Sequence, residues 1–253
     1  MAYKEDYTPP RIRLNSTEYE LIMSLRGNEA HVGQYLNRNV LGIGDLHEPF
    51  CLDEYLEFNE NLANKHHITD VVFLGDVIDA HFSSFHETDP DGMGGGDELD
   101  LAIKRIKRWY KAFPNAKVLI GNHDRIIMRK AFSGGIPKRW IKDYKDVLEV
   151  PNWDFVESYE LDGVLYVHGD GGGRAISRAR KNMESTVCGH WHTDSYVQYI
   201  VGSKFKIFGM QVGCGIDRKS YAQAYAKNHP KPAIGSGVIL DNGRLPFTEM
   251  MSL

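Results

Sequence analysis

The chain has few cysteines, no long apolar run and no surplus of positive charge, and each shortage removes a class of function. Cys51, Cys188 and Cys214 are its three cysteines, widely spaced in 253 residues with no Cys-x-x-Cys pair. An odd, scattered set argues against a disulfide scaffold and for reduced thiols, some of them buried. No apolar stretch approaches the roughly 20 residues that span a bilayer. The start, Met1-Ala2-Tyr3-Lys4-Glu5-Asp6, is polar where a secretory signal would be basic and then apolar. The expectation is a cytoplasmic protein with no membrane partner. A formal net charge of −4 argues against a protein that coats nucleic acid, which would be strongly basic. It leaves room for an enzyme of nucleic acid, because a metal centre brings its own positive charge to the docking phosphate.

What is present is an alternation of short apolar runs and amphipathic stretches. Residues 1–38 read as an N-terminal arm and helix, with Pro9-Pro10 extended and Asn15-Ser16-Thr17 capping a helix that stops at Gly27. From Asn39 the pattern changes, and residues 39–253 read as the main domain. Val40–Ile43, Val71–Leu74, Lys117–Ile120, Val164–Val167, Thr186–Cys188 and Ile207–Val212 have the look of buried strands. Asp53–Lys65, Asp97–Phe113, Pro137–Leu148 and Arg174–Glu184 have that of helices. Such alternation predicts an α/β fold with helices covering the sheets. On Asp97–Phe113 the basic residues fall mostly opposite the apolar stripe and read as a solvated face.

Five short motifs follow five of these strands. They are Gly44-Asp45-Leu46-His47, Gly75-Asp76-Val77-Ile78-Asp79, Gly121-Asn122-His123-Asp124, His168-Gly169-Asp170 and Gly189-His190-Trp191-His192. Alone, each reads as a turn or a helix cap. Together they place hard oxygen and imidazole donors on loops that α/β folds gather at the carboxyl edge of a sheet. A two-metal hydrolase needs such donors to hold two divalent ions roughly 3.5–4 Å apart. Carboxylate, imidazole and amide oxygen suit Mn, Fe, Zn or Ni, and no cysteine stands among the motifs.

In order and spacing, the five motifs resemble the calcineurin-like metallophosphoesterase superfamily over about Asn39 to Thr193. The segments Asp89-Pro90-Asp91-Gly92, Phe208-Gly209-Met210 and Gly213-Cys214-Gly215-Ile216-Asp217 further resemble members common in bacteriophage genomes. The resemblance implies a sandwich of two mixed β-sheets flanked by α-helices, with the site at the C-terminal ends of strands. It implies two divalent cations, manganese foremost. Asp45, His47 and His192 would bind one, Asn122, His168 and His190 the other, and Asp76 would bridge them. It implies in-line attack on phosphorus by a metal-bound hydroxide, with His123 as general acid and Asp79 orienting it and favouring its charged form.

Departures from the family narrow the substrate. Protein Ser/Thr phosphatases carry Arg where Ala80 stands, so a dedicated phosphoprotein phosphatase is not expected. Substitute phosphate contacts are Arg125, Arg174, Arg178 and His81, with Arg174 and Arg178 following the glycine-rich turn 169–173. Residues 82–96 have the length of a substrate-selecting lid, in which His86 also lies. The expected substrate is a phosphodiester, in DNA or another nucleic acid or in nucleotides. The alternatives are a phosphomonoesterase acting on small molecules or phosphoproteins, and a metal-stabilised binding module without turnover.

Overall fold

The computed structural model describes residues 37–85, 88–220 and 230–252. The arm and helix expected before residue 37, and His86, lie outside these residues. From Asn39 onward, eleven strands and five α-helices among the described residues form two sheets with helices on their outer faces. No described helix is long and apolar enough to cross a membrane.

Six strands build the first sheet, in the order β11-β10-β1-β2-β3-β4. Its centre is β1 (Val40–Ile43), β2 (Asp70–Phe73) and β3 (Lys117–Leu119), which run parallel, with β4 (Asp154–Val156) parallel at one edge. On the other side β10 (Gly235–Leu240) pairs antiparallel with β1, and β11 (Leu245–Met250) antiparallel with β10. The second sheet runs β5-β6-β7-β9-β8, where β5 is Ser158–Leu161, β6 Val164–Val167, β7 Ser185–Cys188, β8 Tyr196–Val201 and β9 Lys206–Gln211. There β6, β7 and β9 are parallel and the two edge strands antiparallel. Both sheets are therefore mixed, as expected.

The two-residue period of a strand divides the core in two. Val40, Val72, Leu74 and Leu119 point from the first sheet toward Tyr166, Val187 and Met210 of the second, forming the filling of the sandwich. Leu41, Ile43, Phe73 and Val118 point the opposite way, against α1 (Glu54–Lys65) and α2 (Gly95–Ala112). The inward stripe of α2, Ala102, Ile106 and Trp109, is buried at every position. Its basic face is only partly solvated. Arg105 reaches down to Glu48 (2.5 Å), Asp53 (2.8 Å) and the Cys51 carbonyl (2.7 Å), while Trp109 Nε1 donates to the other Glu48 oxygen (2.9 Å). This anchors the chain just after His47 onto the helix.

One expectation needs correction. Pro137–Leu148 is not one helix but a 3-10 turn at Lys138–Trp140, an extended Ile141, and the single-turn α4 (Tyr144–Val147). Of its apolar residues only Leu148 is fully buried, so no core contact rewards continuous winding. The true helix here is α3 (Ile126–Ser133), which begins directly after the third motif. The region after Gly213 supplies the hairpin β10–β11. Its turn includes Asn242-Gly243, a strong hairpin signal in the sequence.

Candidate metal centre

The loops leaving β1, β2, β3, β6 and β7 meet where the two sheets converge, and glycine permits the meeting. A Cβ on Gly121 would stand 2.1 Å from Asp76 Oδ1, and one on Gly189 2.4 Å from Asp45 Oδ1. Any larger residue at either point would push a carboxylate out of place. Three donor-bearing residues also hold left-handed backbone: His47 (φ 52°), Asp76 (φ 49°) and His190 (φ 69°). Such conformations cost about 1–3 kcal/mol each and persist where the surroundings impose them.

All seven expected ligands lie in this pocket of loops. Donor atoms of Asp45, His47 and His192 lie within 4.8 Å of one another, as do those of Asp76, His168 and His190, and those of His47, Asp76 and His123. His168 Nε2 is 3.2 Å from Asp76 Oδ2 and 2.9 Å from Asn122 Oδ1. His192 Nε2 is 3.0 Å from Asp45 Oδ2 and 3.1 Å from His47 Nε2.

The outer nitrogens set the tautomers. His47 Nδ1 is 2.6 Å from Asp79 Oδ1, and His168 Nδ1 donates to the Leu74 carbonyl at 2.8 Å. With a proton fixed on each Nδ1, the Nε2 lone pairs face inward, the arrangement by which proteins orient metal-binding imidazoles. Asp45 Oδ1 is buried with no hydrogen-bond partner. A buried carboxylate oxygen without a partner costs free energy, and a cation would relieve it. The donor set thus fits hard divalent cations.

Electrostatics agree with this crowding of charge. Burial lowers His47, and His123 beside it lowers it further, against the opposing pull of Asp79. Burial also lowers His168, but neighbouring Asp76 more than offsets this and lifts it to about 10. At His123 burial is again opposed, by Asp76 and then Asp79, and the net shift is upward. Asp76 itself resists burial through its histidine neighbours, His168 first, and is held well below the usual carboxylate range.

Asp79 differs from expectation in its contacts. Its carboxylate bonds His47, while His123 Nδ1 donates to its main-chain carbonyl at 2.7 Å. The carboxylate is 3.5 Å from His123 Nδ1 and acts there by charge rather than by a hydrogen bond. The reason is the left-handed Ala80 (φ 52°), which ends the loop in a turn and leaves the Asp79 carbonyl on the His123 side.

The four expected substrate contacts are engaged elsewhere. Arg125 pairs with Asp170 (2.9 Å) and Glu157 (2.5 Å). Arg174 pairs with Asp194 and lies over the Trp191 ring at 4.5 Å. Arg178 donates to the carbonyls of Asp170 (2.5 Å) and Gly173 (3.2 Å), closing the glycine-rich turn before α5 (Ala175–Asn182). His81 is buried, and its main-chain N–H and that of Phe82 donate to the two Glu98 oxygens at 2.7 and 2.9 Å. Two positioning residues escaped the sequence. Buried Asp124 accepts from the N–H of Asp76 (2.8 Å), Gly121 (2.8 Å) and Ile78 (3.3 Å), lacing the second loop to the third. Burial, then Asp76, lifts its carboxyl to about 7. Gln211 donates to the carbonyls of Cys188 (3.0 Å) and Gly189 and holds the fifth loop. Asp124 stands inside the third motif, whereas nothing in sequence marks Gln211.

A family model described as calcineurin-like phosphoesterase matches residues 38–194, more than half of the chain. The chain belongs to that family. No curated protein matches it. Among solved structures the chain is similar to an archaeal phosphodiesterase, at 14% identity over 84% of this chain and 99% of that one, with a TM-score of 0.44. It is also similar to vacuolar protein sorting 29 from Cryptosporidium parvum, at 15% identity over 85% and 92%, TM-score 0.48. A third is the phosphoesterase Yfce from E. coli, at 13% identity over 85% and 100%, TM-score 0.40.

Proposed function

We propose that residues 39–253 form a catalytic domain that hydrolyses phosphodiesters, in nucleic acid or nucleotides, at a two-cation centre, with residues 1–38 appended to it. In this reading Asp45, His47 and His192 would hold one cation and Asn122, His168 and His190 the other, with Asp76 available to both. The observation that carries it is the pair of donor groups on either side of Asp76, with the buried, unpartnered Asp45 Oδ1 among them. Manganese is the first choice among metals that suit this donor set. The cations, when bound, supply Lewis-acid polarisation of the phosphoryl group and activate water near neutral pH.

The chain's own residues do the rest. His123 keeps its Nδ1 proton on the Asp79 carbonyl, so Nε2 is the atom that gives a proton to the leaving oxygen. The carboxylates of Asp76 and Asp79 hold that imidazole in its charged form to a higher pH than usual. Asp79 also steadies His47, and Asp124 fixes the spacing of the loops bearing Asp76 and His123.

Preference for a diester over a monoester follows from the arginines. A monoester carries about −1.5 to −2 charge near neutrality and gains from an extra cationic clamp. Here Ala80 replaces one such clamp, and Arg125, Arg174 and Arg178 already have partners. Manganese-loaded protein should therefore hydrolyse bis-p-nitrophenyl phosphate faster than p-nitrophenyl phosphate. A large preference for the monoester would overturn the assignment, and no turnover of either would favour the non-catalytic alternative.

A further inference from the structure

The exposed apolar side chains of this protein are not evenly spread. Residues 132–140 are exposed at every position, and they include Phe132 at 86% and Trp140 at 78%. Phe82 (55%) and Phe85 (54%) stand exposed at the start of the loop after the second motif. Phe82 and Phe132 line one groove of about 1170 Å³, together with Arg125, Arg129 and Lys138. Its lining also includes Ala80, next to Asp79, so the groove adjoins the candidate centre.

Charge in this region runs against the rest of the chain. Residues 125–145 contain seven Lys or Arg and one acid, in a protein of net charge −4. Arg129 lies over the Phe85 ring at 4.6 Å, and neither it nor Lys138 forms an ion pair among the described residues. Exposed aromatic faces interleaved with unpaired cations are what single-stranded nucleic acid needs, since its bases stack on rings while its phosphates follow the positive charge. A paired duplex would hide the bases from the rings. A purely apolar protein partner would leave the cations unused.

We propose that this groove and the exposed segment 132–140 at its edge bind single-stranded nucleic acid, stacking bases on Phe132 within the groove and on Trp140, whose neighbours Lys138 and Ile141 line it, and delivering the strand past Arg129 to the metal centre. It rests on the phosphodiesterase reading and specifies its substrate class. The test is fluorescence anisotropy with the full chain in EDTA, using a labelled oligo-dT of about twelve nucleotides, its RNA counterpart, a duplex, and an abasic strand of the same phosphate count. Oligo-dT should bind at least about tenfold more tightly than the abasic strand, and the double variant Phe132→Ala, Trp140→Ala should abolish that difference. Lys138→Glu with Lys142→Glu, a second lysine of the groove lining, should weaken both strands alike and lower the salt slope by about two.

The inference fails if the abasic strand or the duplex binds as well as oligo-dT, or if the aromatic variants bind unchanged. It fails equally if no strand binds and sedimentation gives a dimer that those variants dissolve, for then a second copy covers the face. Comparing DNA with RNA tells which backbone the groove accepts, and tight binding of either supports it. Hydrolysis of bis-p-nitrophenyl phosphate by the unaltered protein reads the parent assignment separately. Turnover without base-dependent binding retains the diesterase and removes the groove, and binding without turnover does the reverse.

Discussion

The two ends of the first sheet use the same strands to opposite purposes. At the end where β1 and β2 begin, every polar group of buried Asn39 is spent on neighbours. Its side chain donates to the His66 and His67 carbonyls (3.0 and 3.2 Å) and accepts from Asp241 N–H (3.2 Å), and its own N–H goes to Thr69 (3.0 Å). At the end where those strands finish, Asp45 Oδ1 has no partner and two imidazole nitrogens face each other at 3.1 Å. One edge is satisfied and the other is frustrated. Local conflicts concentrated at one end of an otherwise consistent fold mark the end that works on something else.

Asp76→Asn is the strongest way to break the contrast. Asn keeps the left-handed backbone and can still accept from His123 N–H, now 2.8 Å from Asp76 Oδ1, so only the charge is lost. Metal content by mass spectrometry should fall, and hydrolysis with it by about a thousandfold. Full metal occupancy would remove Asp76 from the shared position. His123→Asn should follow with a loss of about 10²–10⁴-fold in rate while the metal stays bound. Retained rate would show that the proton comes from elsewhere.

Asp79→Asn sharpens the same comparison because it separates two routes of action. Acting through His47, the carboxylate sets metal affinity, and its loss should weaken binding by about 10–100-fold. Acting through His123 alone, it would lower the rate and leave metal titrations unmoved. The 2.6 Å contact to His47 favours the first outcome.

Reading the sequence found the frustrated end more easily than the satisfied one. The candidate donors are rare residue types in fixed order, each placed one or two residues past an apolar run, so the sequence alone suggests that Asp45, Asp76, Asn122, His168 and His190 belong together. Asn39 and Gln211 are common polar residues whose weight lies wholly in long-range partners, and no local pattern reports those. The same limit explains Arg125, Arg174 and Arg178, which look free in sequence until Asp170, Asp194 and backbone carbonyls appear beside them. It explains Pro137–Leu148 as well, where helical spacing was present but a core face was not.

Asn39→Ala tests the satisfied end directly. It strips partners from three main-chain groups at a 3% exposed position, and should cost about 2–3 kcal/mol in urea unfolding. Metal content should stay unchanged, since the site lies at the far end of the strands. Loss of metal together with stability would mean that the two edges are coupled through the sheet, and the contrast would weaken.

The smallest effect belongs to Glu249, which joins β11 to the end of α1 through Lys65 (2.7 Å) and His66 (2.6 Å). Burial raises its pKa, but hydrogen bonds from Lys65 and then His66 outweigh that, and the net shift is below the ordinary 4.5. A carboxylate depressed on folding contributes stability that is complete above its unfolded pKa and fades as pH drops through its folded one. Because Lys65 is largely exposed, solvent screens the pair and the contribution should stay under about 1 kcal/mol. Glu249→Gln should therefore lower the unfolding midpoint slightly at pH 6 and not at all near pH 3. An equal loss at both pH values would assign the effect to side-chain packing rather than to charge.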